Sequence, residues 1–255
     1  MTISIIDLIA VCLAAVAGGF VNAIAGGGTL ITFPMLTAVG VPPVIANVTN
    51  TVALCPGYVG GTYAQRHDLQ GQKKRMWMLL PTGILGGITG GVLLLSTSDA
   101  TFRKLIPYLI LTAVILLAFQ DQLRNAVMAR MSGSDSTHPH EAWAIPLIFF
   151  AAIYGGYFGA GLGVMMLAVL GLVLDDSLTR LNALKQSLSF VINIAAALFF
   201  LFSGKVLWTA ATVMALGALA GGVLGGRVAS RIQPIVLRWI VIAVGLVVAA
   251  VYFVR

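Results

Sequence analysis

Charge is what this sequence has least of. Asp, Glu, Lys and Arg make up 9% of its 255 residues, against about 25% in ordinary soluble domains. From Leu8 to Gln65, 58 consecutive residues pass without one Asp, Glu, Lys, Arg or His. With 59% hydrophobic residues and a mean hydropathy of +1.01, that shortage excludes a soluble domain and makes the chain a polytopic integral membrane protein. Cysteine is also scarce. Cys12 and Cys55 both lie in apolar segments and read as buried thiols, with neither the number nor the spacing of a disulfide framework or a metal site. The three histidines, His67, His138 and His140, fall in loops, which leaves no proton relay at membrane depth. No phosphate-cradling glycine loop with its Lys is present, so neither nucleotide hydrolysis nor any cofactor is expected. No acid–base pair or metal cluster stands at membrane depth, which argues against an enzyme. Only Asp7 precedes or opens the first apolar run, so a cleaved signal peptide is not expected. The net charge of +7 calls for no nucleic-acid partner, because membrane proteins gather Lys and Arg on one side of the bilayer.

What is present is a set of apolar segments interrupted by glycine and proline. The fold class that follows is all-α: one transmembrane domain over residues 1–255, with repeat one at about 5–120, a polar and mobile linker at 121–141 and repeat two at about 142–255. The spans read as 5–25, 29–40, 45–65, 76–96 and 105–120, then 143–160, 164–174, 181–203, 207–230 and 235–254. The second and seventh are too short to cross a bilayer unaided. The first long run is broken by Gly26-Gly27-Gly28, by Pro34 and by Pro42-Pro43. Irregular backbone at membrane depth is tolerated only where protein buries it or where it lines a watery cavity. A glycine break flanked by Asn22 and Thr29 therefore suggests a binding site between half-helices; the alternative is a tight hairpin that only lets helices pack.

The second half repeats the first. Gly18-Gly19-Phe20 recurs as Gly155-Gly156-Tyr157, and Gly26 as Gly163, at an offset of 137. Beyond the Val41-Pro42-Pro43 turn the offset is 135: Asn47 falls on Asn182, Arg103 on Arg238, and Gly86-Gly87 with Gly90-Gly91 on Gly221-Gly222 with Gly225-Gly226. Those glycine quartets read as helix-packing surfaces. Five segments per repeat is an odd number, so the second copy is expected to be inverted in the membrane. With both termini extracytoplasmic, the inner loops hold Arg66, Lys73, Lys74, Arg75, Arg124, Arg130, Arg180, Arg227, Arg231 and Arg238, and the outer side only Arg103, Lys104, Lys205 and Arg255. That bias follows the positive-inside rule.

Lys185 fits neither group. It lies within LTRLNALKQSLSFVINIAAAL, and an unneeded Lys at a helix centre costs about 2.5–3.5 kcal/mol. Asn182, Gln186, Ser189 and Asn193 recur at helical spacing and form one polar face with it. Two readings stand: Lys185 belongs to an interior site, or it snorkels to the interface. No Asp or Glu is placed to neutralise it, since Asp175 and Asp176 lie two to three turns away. An intramembrane cation of this kind suits an anion. Half-helices starting after Gly26–Gly28 and after Gly161–Gly163 would add amide donors and positive dipole ends. Asn47, Thr49 and Asn50, with Asn22 and Asn182, could donate further hydrogen bonds without charge.

The stretch GGFVNAIAGGGTLITFPML…GVPPVIANVTNTVAL resembles the first-repeat signature of the sulfite exporter TauE/SafE family, also called the toluene-sulfonate uptake permease family. YGGYFGAGLGVMMLAVLGL with LNALK resembles its second-repeat signature. The likeness covers nearly the whole chain. It implies a permease of the bacterial inner (plasma) membrane that exports a small inorganic or organic sulfur oxyanion, such as sulfite, sulfoacetate, another organosulfonate or thiosulfate. Gly161-Leu162-Gly163-Val164 departs from the fuller glycine cluster common in second repeats, which implies a tighter second half-helix entry. An anion channel, or a membrane assembly subunit without transport of its own, remains open as an alternative. A homo-oligomer is allowed by the sequence and not required by it.

Overall fold

The computed structural model describes residues 4–24, 27–64, 66–132, 143–228 and 234–254. Among them the chain is helical, without strands. The elements are α1 (Ile5–Ile24), α2 (Thr29–Ala38), α3 (Pro43–Ala64), a 3-10 turn (Arg66–Leu69), α4 (Lys73–Ser96), α5 (Asp99–Ala118), α6 (Gln120–Ser132), α7 (Ala144–Tyr157), α8 (Leu162–Val173), α9 (Leu178–Leu201), α10 (Trp208–Val228) and α11 (Pro234–Val254). By length and composition α1, α4, α5, α9, α10 and α11 can each cross a membrane, whereas α2, α7 and α8 are shorter apolar helices. The chain is an all-α membrane protein. Its lipid-side surface carries the large exposed side chains, such as Ile5, Trp77, Phe150, Phe202 and Val247.

Local chemistry sets the helix ends. Pro43 opens α3, where a missing N–H costs nothing, and the Val44 N–H donates to Asp99 Oδ1 at 2.9 Å. Ser98 and Ser177 cap α5 and α9 by accepting from the Thr101 and Arg180 amides at 3.2 and 3.4 Å. Pro34 was expected as a break and is not one. It lies inside α2, with Thr37 Oγ1 donating to its carbonyl at 2.9 Å. The linker expectation also needs correction over more than half its length: residues 121–132 belong to α6, and residues 133–142 lie outside the described residues. α6 holds because Val127 fills the space above Gly171 of α8 and Asp121 accepts two hydrogen bonds from Arg238 of α11.

Glycines let the long helices meet backbone to backbone. A Cβ on Gly86 would stand 2.7 Å from the Phe149 carbonyl of α7, and one on Gly87 2.7 Å from the Ile192 carbonyl of α9. On the other flank a Cβ on Gly217 would stand 2.8 Å from the Cys12 carbonyl and one on Gly225 2.6 Å from the Phe20 carbonyl. Gly222 meets nothing within 4 Å, so it does not share the packing role read for its quartet. These approaches run α1 parallel to α10 and α4 parallel to α7, the two most extensive helix contacts. α3 packs on α9 and α5 on α11 between them.

Candidate functional site

The two short helices α2 and α8 begin at glycine-bearing turns, and both turns open onto one cavity of about 360 Å³. Gly27 has φ +87° and Gly161, which caps α8, has φ +73°. Side-chain-bearing residues rarely adopt that backbone region, so glycine is what lets each chain reverse from a long helix into a half-helix. Gly27, Gly28 and Thr29 of one turn and Gly161, Leu162 and Gly163 of the other line the cavity. Two helix N-termini, each with amide donors and a partial positive charge, therefore face one space.

The polar face of α9 supplies the opposite wall: Asn182, Lys185, Gln186 and Ser189. Lys185 lies two turns into α9, about 10 Å along its axis. Its Nζ donates to Asn182 Oδ1 at 3.2 Å, and Asn182 Nδ2 donates to the Leu178 carbonyl at 3.0 Å. Lys185 is thus turned toward the cavity. Gly163 faces it across the gap, where a Cβ would stand 4.0 Å from Lys185 Cδ. Ser189 Oγ is buried without a hydrogen-bond partner, a hydroxyl that an occupant of the cavity could use. Apolar surface comes from Leu117, Val164 and Leu167. Among the described residues no carboxylate lines the space. The nearby Asp176 is engaged elsewhere, by Arg75 and by Arg180 at 2.7 Å. Burial alone would raise the Asp176 carboxyl, but the Arg180 hydrogen bond, the Ser177 N–H and the two guanidinium charges outweigh it and hold it below its ordinary value.

Of the residues singled out in the sequence, Asn22, Gly27, Gly28, Thr29, Gly161, Gly163, Asn182, Lys185, Gln186 and Ser189 line this cavity. Gly26 lies outside the described residues. Asn47, Thr49 and Asn50 are fully buried in α3 and do not line it. Asn47 Nδ2 donates to the Tyr157 carbonyl at 2.8 Å, and Thr49 Oγ1 accepts from the Leu207 N–H at 3.0 Å. Sequence reading missed Tyr58, Gln120, Arg124 and Gly159. Arg124 escaped because it lies in the stretch read as a linker, and Gln120 because it was read as the last residue of the fifth span; their spacing of four, on a segment without helix breakers, was the available signal.

A second hollow of about 410 Å³ lies at the other end of α2, lined by Pro34, Thr37, Pro42, Asp99, Arg103 and Tyr252 among others. Along α2, between the two hollows, Phe33 is buried in a cluster of rings. Its centroid lies 5.4 Å from that of Phe158 and 6.3 Å from that of Phe102, both edge-on, and Phe102 meets Tyr157 at 5.6 Å.

A family profile described as Sulfite exporter TauE/SafE matches residues 11–252. The chain belongs to the sulfite exporter TauE/SafE family. Among its relatives is a probable membrane transporter protein of Haemophilus influenzae, 28% identical over 96% of this chain and 94% of that one. Another is the probable membrane transporter protein YfcA of Escherichia coli K12, 27% identical over 89% and 83%. A third is the probable membrane transporter protein ORF9 of a Sinorhizobium species, 25% identical over 92% and 88%. No solved structure matches the chain. Family and relatives together make this TauE/SafE member a membrane transporter.

Proposed function

We propose that this transporter is a secondary permease for small sulfur-containing anions, such as sulfite or an organosulfonate, and works by alternating access around the cavity between α2, α8 and α9. One observation carries the reading: the cavity gathers Lys185, Arg124 and two helix N-termini and, among the described residues, is lined by no carboxylate. A space positive on every polar wall stabilises an anion and repels a cation. Outward movement of an anion is downhill in a cell negative inside by about 2.3 kcal/mol per charge per 100 mV, so uniport suffices for export. The bias of Lys and Arg toward the α4, α6 and α9 loops supports an open cavity on the inner side and both termini outside.

The rocking reading rests on the repeat. Exchanging α1–α5 with α7–α11 converts the α1–α10 contact into α7–α4 and the α3–α10 contact into α9–α4, and all four are present. The same exchange relates Asn47 to Asn182 and Tyr157 to Phe20. Asn47 is bonded to the Tyr157 carbonyl, on the ring-filled side. Asn182 instead bonds within its own helix, and its side is the open one. An inverted repeat would let the two asparagines trade these states, opening one face as the other closes.

The test is saturable uptake of radiolabelled sulfite by liposomes holding only this protein, with Lys185→Ala beside Lys104→Ala as control. Losing one buried charge-assisted contact costs about 2–5 kcal/mol, on the order of 30- to 5,000-fold in affinity. Lys185→Arg keeps charge without geometry and is expected to give partial function at best. Wild-type affinity in Lys185→Ala overturns the reading.

A further inference from the structure

We infer that Arg124 is a second anion-binding residue, an entrance cation that raises affinity on the α6 face of the membrane only. The inference rests on the anion site proposed above. Arg124 is exposed yet lines the same cavity as Lys185, so it stands where the cavity meets solvent. It comes from α6, which lies between the two five-helix halves and, among the described residues, has no counterpart in the repeat. Its neighbour Gln120 also lines the cavity, with a buried Oε1 that has no hydrogen-bond partner. Two positions four apart on α6 therefore present one face to the cavity.

Among the described residues, the acid beside Arg124 on α6 is already engaged. Asp121, one turn earlier, gives its two oxygens to the Arg238 guanidinium. That hydrogen bond and charge outweigh a modest burial cost and hold the Asp121 carboxyl below its ordinary value, with a smaller contribution from Arg124. The bidentate pair ties α6 to α11, and Val127 seats it on α8 at Gly171. An anion arriving from this face meets Arg124 first and Lys185 deeper; one arriving from the opposite face passes the ring cluster and the Arg103 hollow instead. Exposed charges act over about 10 Å at 0.1 M salt and less as salt rises, so the contribution of Arg124 is salt-dependent where that of Lys185 is not.

The experiment uses radiolabelled sulfite and the full-length protein in liposomes of known orientation, with transport measured from each face at low ionic strength and at about 0.5 M salt. Arg124→Gln is expected to raise KM about 3- to 10-fold from the α6 face at low salt, with kcat from that face unchanged, and to lose its effect at high salt. From the opposite face it is expected to lower kcat in proportion but not to change KM, because a passive carrier at zero potential keeps kcat/KM equal from both faces. Arg124→Lys is expected to restore most of the affinity. An equal KM change from both faces, or a fall in kcat from both faces with KM unchanged, would make Arg124 a structural residue and overturns the inference. Normal wild-type uptake with an unchanged Arg124→Gln variant overturns it while sparing the anion site. Absence of saturable uptake by the wild type removes the anion site, and this inference with it.

Discussion

Two glycines at the half-helix turns answer to different forces, and single substitutions separate them. Gly27 holds φ +87°, and a Cβ there would meet Leu117 Cδ1 at 2.9 Å. Gly27→Val is therefore expected to lower the yield of monodisperse protein on size exclusion, because strain and overlap act before any ligand is involved. Gly163 is helical, and its added Cβ would meet only Lys185 Cδ, at 4.0 Å. Gly163→Ala should fold normally and weaken sulfite binding a few-fold by crowding the Lys185 stem, which calorimetry on the purified variant can read. Asn47 offers a third residue-scale test. Asn47 is buried and its bond to the Tyr157 carbonyl partly so, and such a bond is worth about 1 kcal/mol. Asn47→Ala is expected to speed hydrogen–deuterium exchange at Phe158 and Gly159 on the order of fivefold, while Asn182→Ala leaves those amides unchanged. Equal effects from both variants would refute the exchange of roles between the two asparagines.

At the scale of elements, the helices that build the site are held by ties outside the apolar core. The start of α9 is bound to the 3-10 turn and α4: Arg180 Nη1 donates to the Gln70 carbonyl at 2.9 Å, Gln72 Nε2 to the Arg180 carbonyl at 3.1 Å, and Asp176 joins Arg75 to Arg180. Asp176 and Asp121 both have lowered pKa values. A carboxylate lowered by folding contributes its stability above its unfolded pKa, near 3.8 here, and loses it as pH falls through the lower folded value. Melting temperature in detergent should be flat with respect to these groups from pH 7 to about 5 and should fall on acidification below about 4. Asp176→Asn should lower the plateau and flatten that acid limb. An unchanged acid limb would mean the ties contribute nothing to folding.

For the whole molecule the arrangement to test is orientation. The Lys- and Arg-rich ends of α4, α6 and α9 gather on the face where the cavity opens, and the Arg103 hollow lies on the other. Single cysteines at Ser4 and Val254, with Cys12 and Cys55 replaced, should react with an impermeant maleimide on intact cells. A cysteine at the exposed Lys74 should react only after permeabilisation. The reverse pattern would turn the transporter over, and the α6 face would then look outward.

Hydrophobic composition alone fixed the membrane class, because 58 residues without charge have no stable place in water. The offsets of 137 and 135 are the sequence's own case for a repeat, and Lys185 is its case for a site, because an ion in hydrocarbon is too costly to keep without use. Ten of the proposed site residues share one cavity because helical spacing places Asn182, Lys185, Gln186 and Ser189 on one face whatever the neighbours are. Asn47, Thr49 and Asn50 have the same polar character in α3, yet tertiary packing alone turned them onto Tyr157, Leu207 and the core, since periodicity cannot say which neighbour a face will meet. Arg124 escaped for the opposite reason. Its helix is polar, so no apolar stripe distinguished α6 from a loop, and only its seat on Gly171 and its pairing with Arg238 bring that cation to the cavity.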